Sequence, residues 1–230
     1  MPINKKSLIY LCLFTAFGFI LLQIPFTNIV GSGQKFSLFD FFAPASGAFL
    51  TSIWGALSVV VVKLVNVIVS GQSFDTATII RLFPLALGAI YFGTRKYKTA
   101  VAAIPLICMI LFIIHPQGRA AWYYSLYWLI PLATAFTKKS LIFNSLGATF
   151  TAHAVGSVAF LYAFNLPAEV WITLIPVVFL ERMLFTAGTA VSYVAVNSLT
   201  YWISHRFALP TLQQISRSDY TFSRKLLINL

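Results

Sequence analysis

Six side chains able to hold a polar ligand stand within otherwise apolar stretches: Lys63, Asn66, Arg81, His153, Glu181 and Arg182. Hydrocarbon solvates none of them, so each needs a protein partner, a water-filled space or a bound solute. Their spacing decides where they point. Residues four apart share a helix face, and Gly47, Thr51 and Gly55 recur at that interval with Ala48, Ser52 and Ala56 alongside. Small residues in such rows let two membrane helices approach closely, so this face is expected to meet another helix. Continuing the row by fours reaches Val59 and Lys63, with Asn66 one turn on, which extends the packed face to a polar pair. The competing reading has Lys63 snorkelling to the membrane interface from near the end of its run.

A second stripe, Ser145, Thr149, His153 and Ser157, lies within NSLGATFTAHAVGSVAFL. Four polar groups on one face of an apolar helix call for the bundle interior or a wet cavity. His153 on its own reads as a hydrogen-bonded packing residue; its three companions favour a cavity wall. No second histidine sits at metal-ligand spacing from it, since His115 and His205 stand at segment ends. The third and longest stripe is Arg182, Thr186, Thr189, Tyr193, Asn197 and Tyr201, beginning beside Glu181 in PVVFLERMLFTAG. Adjacent helical residues point about 100° apart, so Glu181 and Arg182 are expected to find partners elsewhere: Lys63 or Arg81 for Glu181, Asp40 for Arg182. Such a network either fixes helix registry or holds a polar or anionic ligand near the membrane face. Trp122, Trp128 and Trp171 are candidates for aromatic cover.

The elements carrying these stripes are membrane helices. Of the 230 residues 59% are hydrophobic and 9% charged, far from the roughly one quarter charged of a soluble domain. The net charge of +11 would suit nucleic acid in a soluble protein. Here Lys and Arg fall mainly in the connections and tails, which points to topology and lipid headgroups, with no nucleic-acid partner. Cys12 and Cys108 sit inside apolar runs as packed thiols. The fold class expected is an all-α, polytopic bundle forming a single membrane domain over residues 1–230, with a cytoplasmic tail from about residue 205.

Candidate spans are Ser7 to Ile24, Ala43 to Val69, Ala77 to Gly93, Thr99 to His115, Trp122 to Thr137, Leu141 to Phe164, and Glu169 to about Ser204. The last is too long for one simple crossing, so Pro176 or Gly188 is expected to interrupt it or its end to project from the membrane. Lys5 and Lys6 before the first run resemble a secretory signal, but no small-residue cleavage site closes it, and the segment reads as a retained first span. Basic clusters at Lys5/Lys6, Arg95/Lys96/Lys98, Lys138/Lys139 and the tail with Arg206, Arg217, Arg224 and Lys225 place both termini in the cytoplasm of a cell-membrane protein. Two crossings between Ile24 and Arg95 would leave the Arg95 cluster outside. Six spans is the preferred total; an additional short or re-entrant piece over Phe36 to Ala48 is the alternative.

No GxxxxGK[ST] loop is present, so this chain carries no nucleotide site of its own, and no HExxH, GxSxG or paired intramembrane carboxylates offer a hydrolase site. An enzyme is not expected, and no cofactor or metal. The order of features resembles the substrate-binding membrane subunit, or S component, of energy-coupling factor transporters. The resemblance rests on a cationic first span, then FSLFDFFAPASGAFLTSIWGALSVVVVKLVN, then IRLFPLALGAIYFGTRK closed by basic residues. It implies a bundle of six helices that binds a vitamin, a vitamin precursor or another micronutrient in a cavity near the outer face. It also implies a separate transmembrane coupling subunit and two cytoplasmic ATPases as partners, which agrees with the missing nucleotide loop. Where members of the family present an alanine pair on the first helix for docking, this chain has Cys12 and Ala16. The competing classes are a membrane scaffold or assembly factor, whose charges are only registry pairs, and a stand-alone secondary transporter, for which inverted repeats are not evident.

Overall fold

The computed structural model describes residues 5–28, 35–94, 98–137 and 140–207. Arg95, Lys96, Lys138, Lys139, Arg217, Arg224 and Lys225 lie outside the described residues, as does most of the expected tail. Helix α1 (Lys5–Leu22) leads into a short antiparallel ribbon, β1 (Pro25–Asn28) and β2 (Lys35–Ser37). There follow α2 (Leu38–Phe42), a 3-10 turn, α3 (Ser46–Leu50), α4 (Ser52–Val69), α5 (Thr76–Arg81), α6 (Pro84–Gly93), α7 (Lys98–Ile114) and α8 (Pro116–Ala120). A 3-10 helix (Trp122–Trp128), α9 (Leu129–Phe136), α10 (Leu141–Phe164) and α11 (Ala168–Arg206) complete the chain. Apart from the ribbon the described structure is all helical. Four helical stretches, Ser52–Val69, Thr76–Gly93, Leu141–Phe164 and Ala168–Arg206, are long and apolar enough to cross a membrane, and three shorter apolar ones accompany them. The protein is a helical membrane protein, and its spans are less uniform than the sequence suggests.

The expected span from Ala43 to Val69 is two pieces. Thr51 has φ 85° and ψ 157°, a left-handed, extended conformation costly for a β-branched residue, and the chain reverses there. Gly47 and Gly55 therefore do not form one continuous face, as their spacing implied. They face each other across the reversal: a Cβ on Gly55 would lie 2.5 Å from the Gly47 amide nitrogen. Gly47 in turn packs its backbone on α6, where a Cβ would meet the Ala89 carbonyl oxygen at 1.9 Å. Small residues do bring backbones together here, but the contact is internal to one hairpin and its neighbour.

This reversal accounts for the basic clusters. Gln23 Nε2 donates to Asn66 Oδ1 at 2.9 Å, so α1 and α4 end side by side and run parallel. Residues 38–50 return the chain between them. The hydroxyls of Ser52 and Thr94 lie 3.0 Å apart, which puts the start of α4 and the end of α6 at one level. Thr94 and Lys98, flanking the Arg95 cluster, thus lie at the same end of the bundle as the start of α1.

Other expectations shift too. Trp122 to Thr137 is a 3-10 helix followed by α9 rather than one α-helical span. Neither Pro176 nor Gly188 interrupts α11, which is continuous over 39 residues and, at 1.5 Å per residue, about 58 Å long. Pro84 does break a span: it opens α6 and leaves the last carbonyls of α5 without their usual donors. Two buried clusters form the core. One joins Phe39, Phe42, Phe49, Val59, Ala89 and Tyr193; the other joins Phe112, Tyr124, Trp128, Leu161, Trp171 and Val178. The charged residues of interest lie on the elements between them.

Candidate functional site: a polar seam across the bundle

Asp40 sits in the first turn of α2, and its Oδ2 accepts from the Ser37 backbone N–H (2.7 Å) and the Ser37 hydroxyl (2.9 Å). These bonds tie the carboxylate to the helix start, where the helix dipole also favours it. Asp40 is also within electrostatic reach of both Lys63 on α4 and Arg182 on α11. Lys63 does not snorkel outward. Its Nζ donates to the Arg81 carbonyl at 3.0 Å, so a half-buried ammonium supplies the donor that the Pro84 break withdraws.

Arg81 has no ion pair with Glu181 among the described residues; its guanidinium lies 5.7 Å over the Phe160 ring. Asp75, at the start of α5 and outside the spans, accepts the Thr78 backbone N–H at 2.7 Å. That bond, chiefly, holds its carboxyl below the usual range. Its contribution to α5 is therefore present above the unfolded carboxylate pKa and is lost as pH falls through the lowered one.

Glu181 and Arg182 find each other after all, with Arg182 Nη2 3.5 Å from Glu181 Oε2. The sequence expectation of a distant partner for Glu181, Lys63 or Arg81, is not met: two long side chains bend across the angle between neighbouring positions. The contact satisfies Arg182 only in part. Its guanidinium lies 4.4 Å over the Phe185 ring and 5.7 Å over Phe36, and its buried Nε has no hydrogen-bond partner among the described residues. The expected Asp40–Arg182 pair does not form among the described residues: Asp40 is bonded to Ser37 and is only within electrostatic reach of Arg182.

His153 is a hub. Trp128 Nε1 donates to its Nδ1 at 3.2 Å. Because an indole nitrogen only donates, Nδ1 must accept, and the proton of this tautomer is on Nε2. Nε2 lies 2.8 Å from the Tyr124 hydroxyl and 3.3 Å from Ser157 Oγ, and those two hydroxyls are 3.3 Å apart. The ring thus donates to Tyr124, which can donate onward to Ser157. Arg182 is within electrostatic reach of both Tyr124 and His153, which links the hub to the charged layer.

Replacing His153 with Leu would leave Trp128 Nε1 without its acceptor in the core, an expected loss of about 1–3 kcal/mol, while the Tyr124 hydroxyl keeps Ser157. His153→Gln should lose less than half of that in a denaturation titration in detergent. Equal losses would mean that the hydrogen bonds do not hold the hub.

Asn66 lies apart from this seam, at the end of α4 with Gln23. Trp122 is exposed, whereas Trp128 and Trp171 belong to the core around Tyr124. The stripe on α10 faces inward: Ser145, Thr149 and Ser157 are buried, and among the described residues the hydroxyls of Ser145 and Thr149 have no partner, nor has that of Thr189 on α11. Sequence reasoning missed Tyr124 as the hub's second member because no helical period marks a 3-10 segment. It also missed the Arg81 carbonyl, because backbone acceptors leave no trace in composition. Among the described residues no group of three His, Cys, Asp or Glu could hold a metal ion.

No family model matches the chain, and no solved structure matches it. Over 207 residues it is 27% identical to an uncharacterised protein of Methanocaldococcus jannaschii, a similarity covering 80% of this chain and 68% of that one.

Proposed function

We propose that the chain is the solute-binding membrane subunit of an importer of the energy-coupling factor type. The observation that carries this reading is that Lys63, Asp40, Arg182 and the His153–Tyr124–Trp128–Ser157 hub each stand within electrostatic reach of the next, on α4, α2, α11, α10 and the 3-10 helix. Ionisable groups are expensive within a membrane and are concentrated where a solute passes or binds. The buried hydroxyls of Ser145, Thr149 and Thr189 without partners are what a site made to exchange its own hydrogen bonds for those of a solute would leave. The lack of a nucleotide loop fits a subunit energised by a separate coupling protein and ATPases. With both termini cytoplasmic, the parallel course of α1 and α4 puts Thr94 and Lys98 on the cytoplasmic side, in agreement with the positive-inside rule.

Metabolite uptake compared between a strain lacking the gene and the same strain complemented with it tests the reading. Loss of one micronutrient's uptake, restored by the wild-type gene, is the expected result. An unchanged uptake profile across vitamins, their precursors and small organic acids would overturn it in favour of a scaffold.

A further inference from the structure

We infer that the solute is an organic oxyanion, a carboxylate or phosphate, whose oxygens lie in the plane of the Arg182 guanidinium at its Nε edge. The inference rests on the solute-binding reading above and adds the chemical class. A guanidinium presents five N–H donors around a flat ion, and only in-plane acceptors reach them. Phe185 at 4.4 Å and Phe36 at 5.7 Å crowd one side of this one, their own centroids being 4.4 Å apart. Glu181 Oε2 lies 3.5 Å from Nη2, the neighbour of Nε on the same edge, and leaves Nε itself unbonded. Nε is buried, and without a protein acceptor among the described residues. Asp40 does not fill it, because Asp40 is hydrogen-bonded to Ser37.

An unmade charge-assisted bond in an apolar interior is costly, and a two-oxygen acid is the group that fits a guanidinium fork. The neighbours favour an acceptor over a donor. Lys63 supplies a second cation across Asp40, and the adjoining aromatic rings, Phe36, Phe41 and Phe185 in edge contact, exclude water that would otherwise screen the pair. Glu181, the one carboxylate in contact with Arg182 among the described residues, is 21% exposed and reaches Nη2 only at 3.5 Å, so a solute oxyanion can compete with it for that edge.

The purified full-length protein in detergent is incubated with a metabolite extract of its host cells and washed. Bound compounds are released into aqueous and organic phases and identified by mass spectrometry. The expected compound is a water-soluble acid, retained roughly 10- to 100-fold less by Arg182→Gln, as expected for one charge-assisted hydrogen-bonded pair. Arg182→Lys, which keeps the charge but loses the fork, should retain an intermediate amount, and Glu181→Gln at least the wild-type amount. Thermal unfolding of each variant shows whether it is folded, and Arg182→Lys carries the test if Arg182→Gln is not. A retained compound that is neutral or cationic, or equal retention by wild type and Arg182→Lys, overturns the oxyanion while leaving a solute-binding subunit. An acidic phospholipid as the only Arg182-dependent compound assigns the oxyanion to a lipid headgroup and removes the solute. Recovery of nothing from either phase overturns both readings.

Discussion

Gly47→Ala is expected to abolish the folded protein. A methyl group there would sit 1.9 Å from the Ala89 carbonyl oxygen, 2.8 Å from the Ala89 carbonyl carbon and 3.1 Å from the Gly93 amide nitrogen. All three are backbone atoms of α6, so no rotamer change makes room. Gly93 mirrors the constraint, with a Cβ 2.2 Å from the Gly47 oxygen. Relief requires α3 to move off α6, and with it the reversal at Thr51 that holds Gly55 against Gly47. Overpacking of ordinary cores costs about 1–3 kcal/mol; a clash between two backbones exceeds that. Gly47→Ala should therefore yield aggregated protein in fluorescence-detected size-exclusion chromatography, whereas Gly156→Ala, where a Cβ would make ordinary contact with the Pro84 ring at 3.6 Å, should elute near wild type. A monodisperse Gly47→Ala protein would mean that α3 and α6 do not touch as described.

Lys63→Met has the second largest expected effect. It keeps most of the side-chain volume and removes the ammonium. The Arg81 carbonyl then loses its donor at the Pro84 break, and Asp40 loses one of its two nearby cations. Losing a hydrogen bond from a charged donor costs about 1.5–3 kcal/mol, and that is the loss expected in a denaturation titration. Asp40→Asn in the same chain should recover part of it, because the charge left behind is then gone; a double-mutant cycle reads the coupling directly. Strict additivity of the two changes would show that Lys63 serves only the carbonyl. No loss from Lys63→Met would place its ammonium in water.

These two residues show which parts of the molecule are legible in the sequence. The inward stripe of Ser145, Thr149, His153 and Ser157 is legible because α10 is regular, and four-residue spacing on a regular helix leaves only one face. The small residues around Gly47 are legible as a close-packing signal, but their geometry is not. The same letters serve one straight helix or a reversal, and the decision rests on a single threonine with positive φ that no propensity favours. That misplaced break also made the Arg95 cluster look inconsistent with the other basic clusters. Counting forward by fours from Gly55 along α4 gives the row that carries Lys63 but leaves snorkelling open, and its partner is the Arg81 carbonyl eighteen residues on, which spacing cannot reveal. Glu181 and Arg182 were assigned separate partners from the angle between adjacent positions, and side-chain length overcame that angle.

The central claim is that the polar seam around Arg182 holds a solute. Native mass spectrometry of the intact protein, freed from detergent after exposure to host metabolites, measures this. One small acidic molecule per chain, lost on Arg182→Gln, is the predicted spectrum. A bare chain, or one carrying only neutral adducts that survive the substitution, would contradict it.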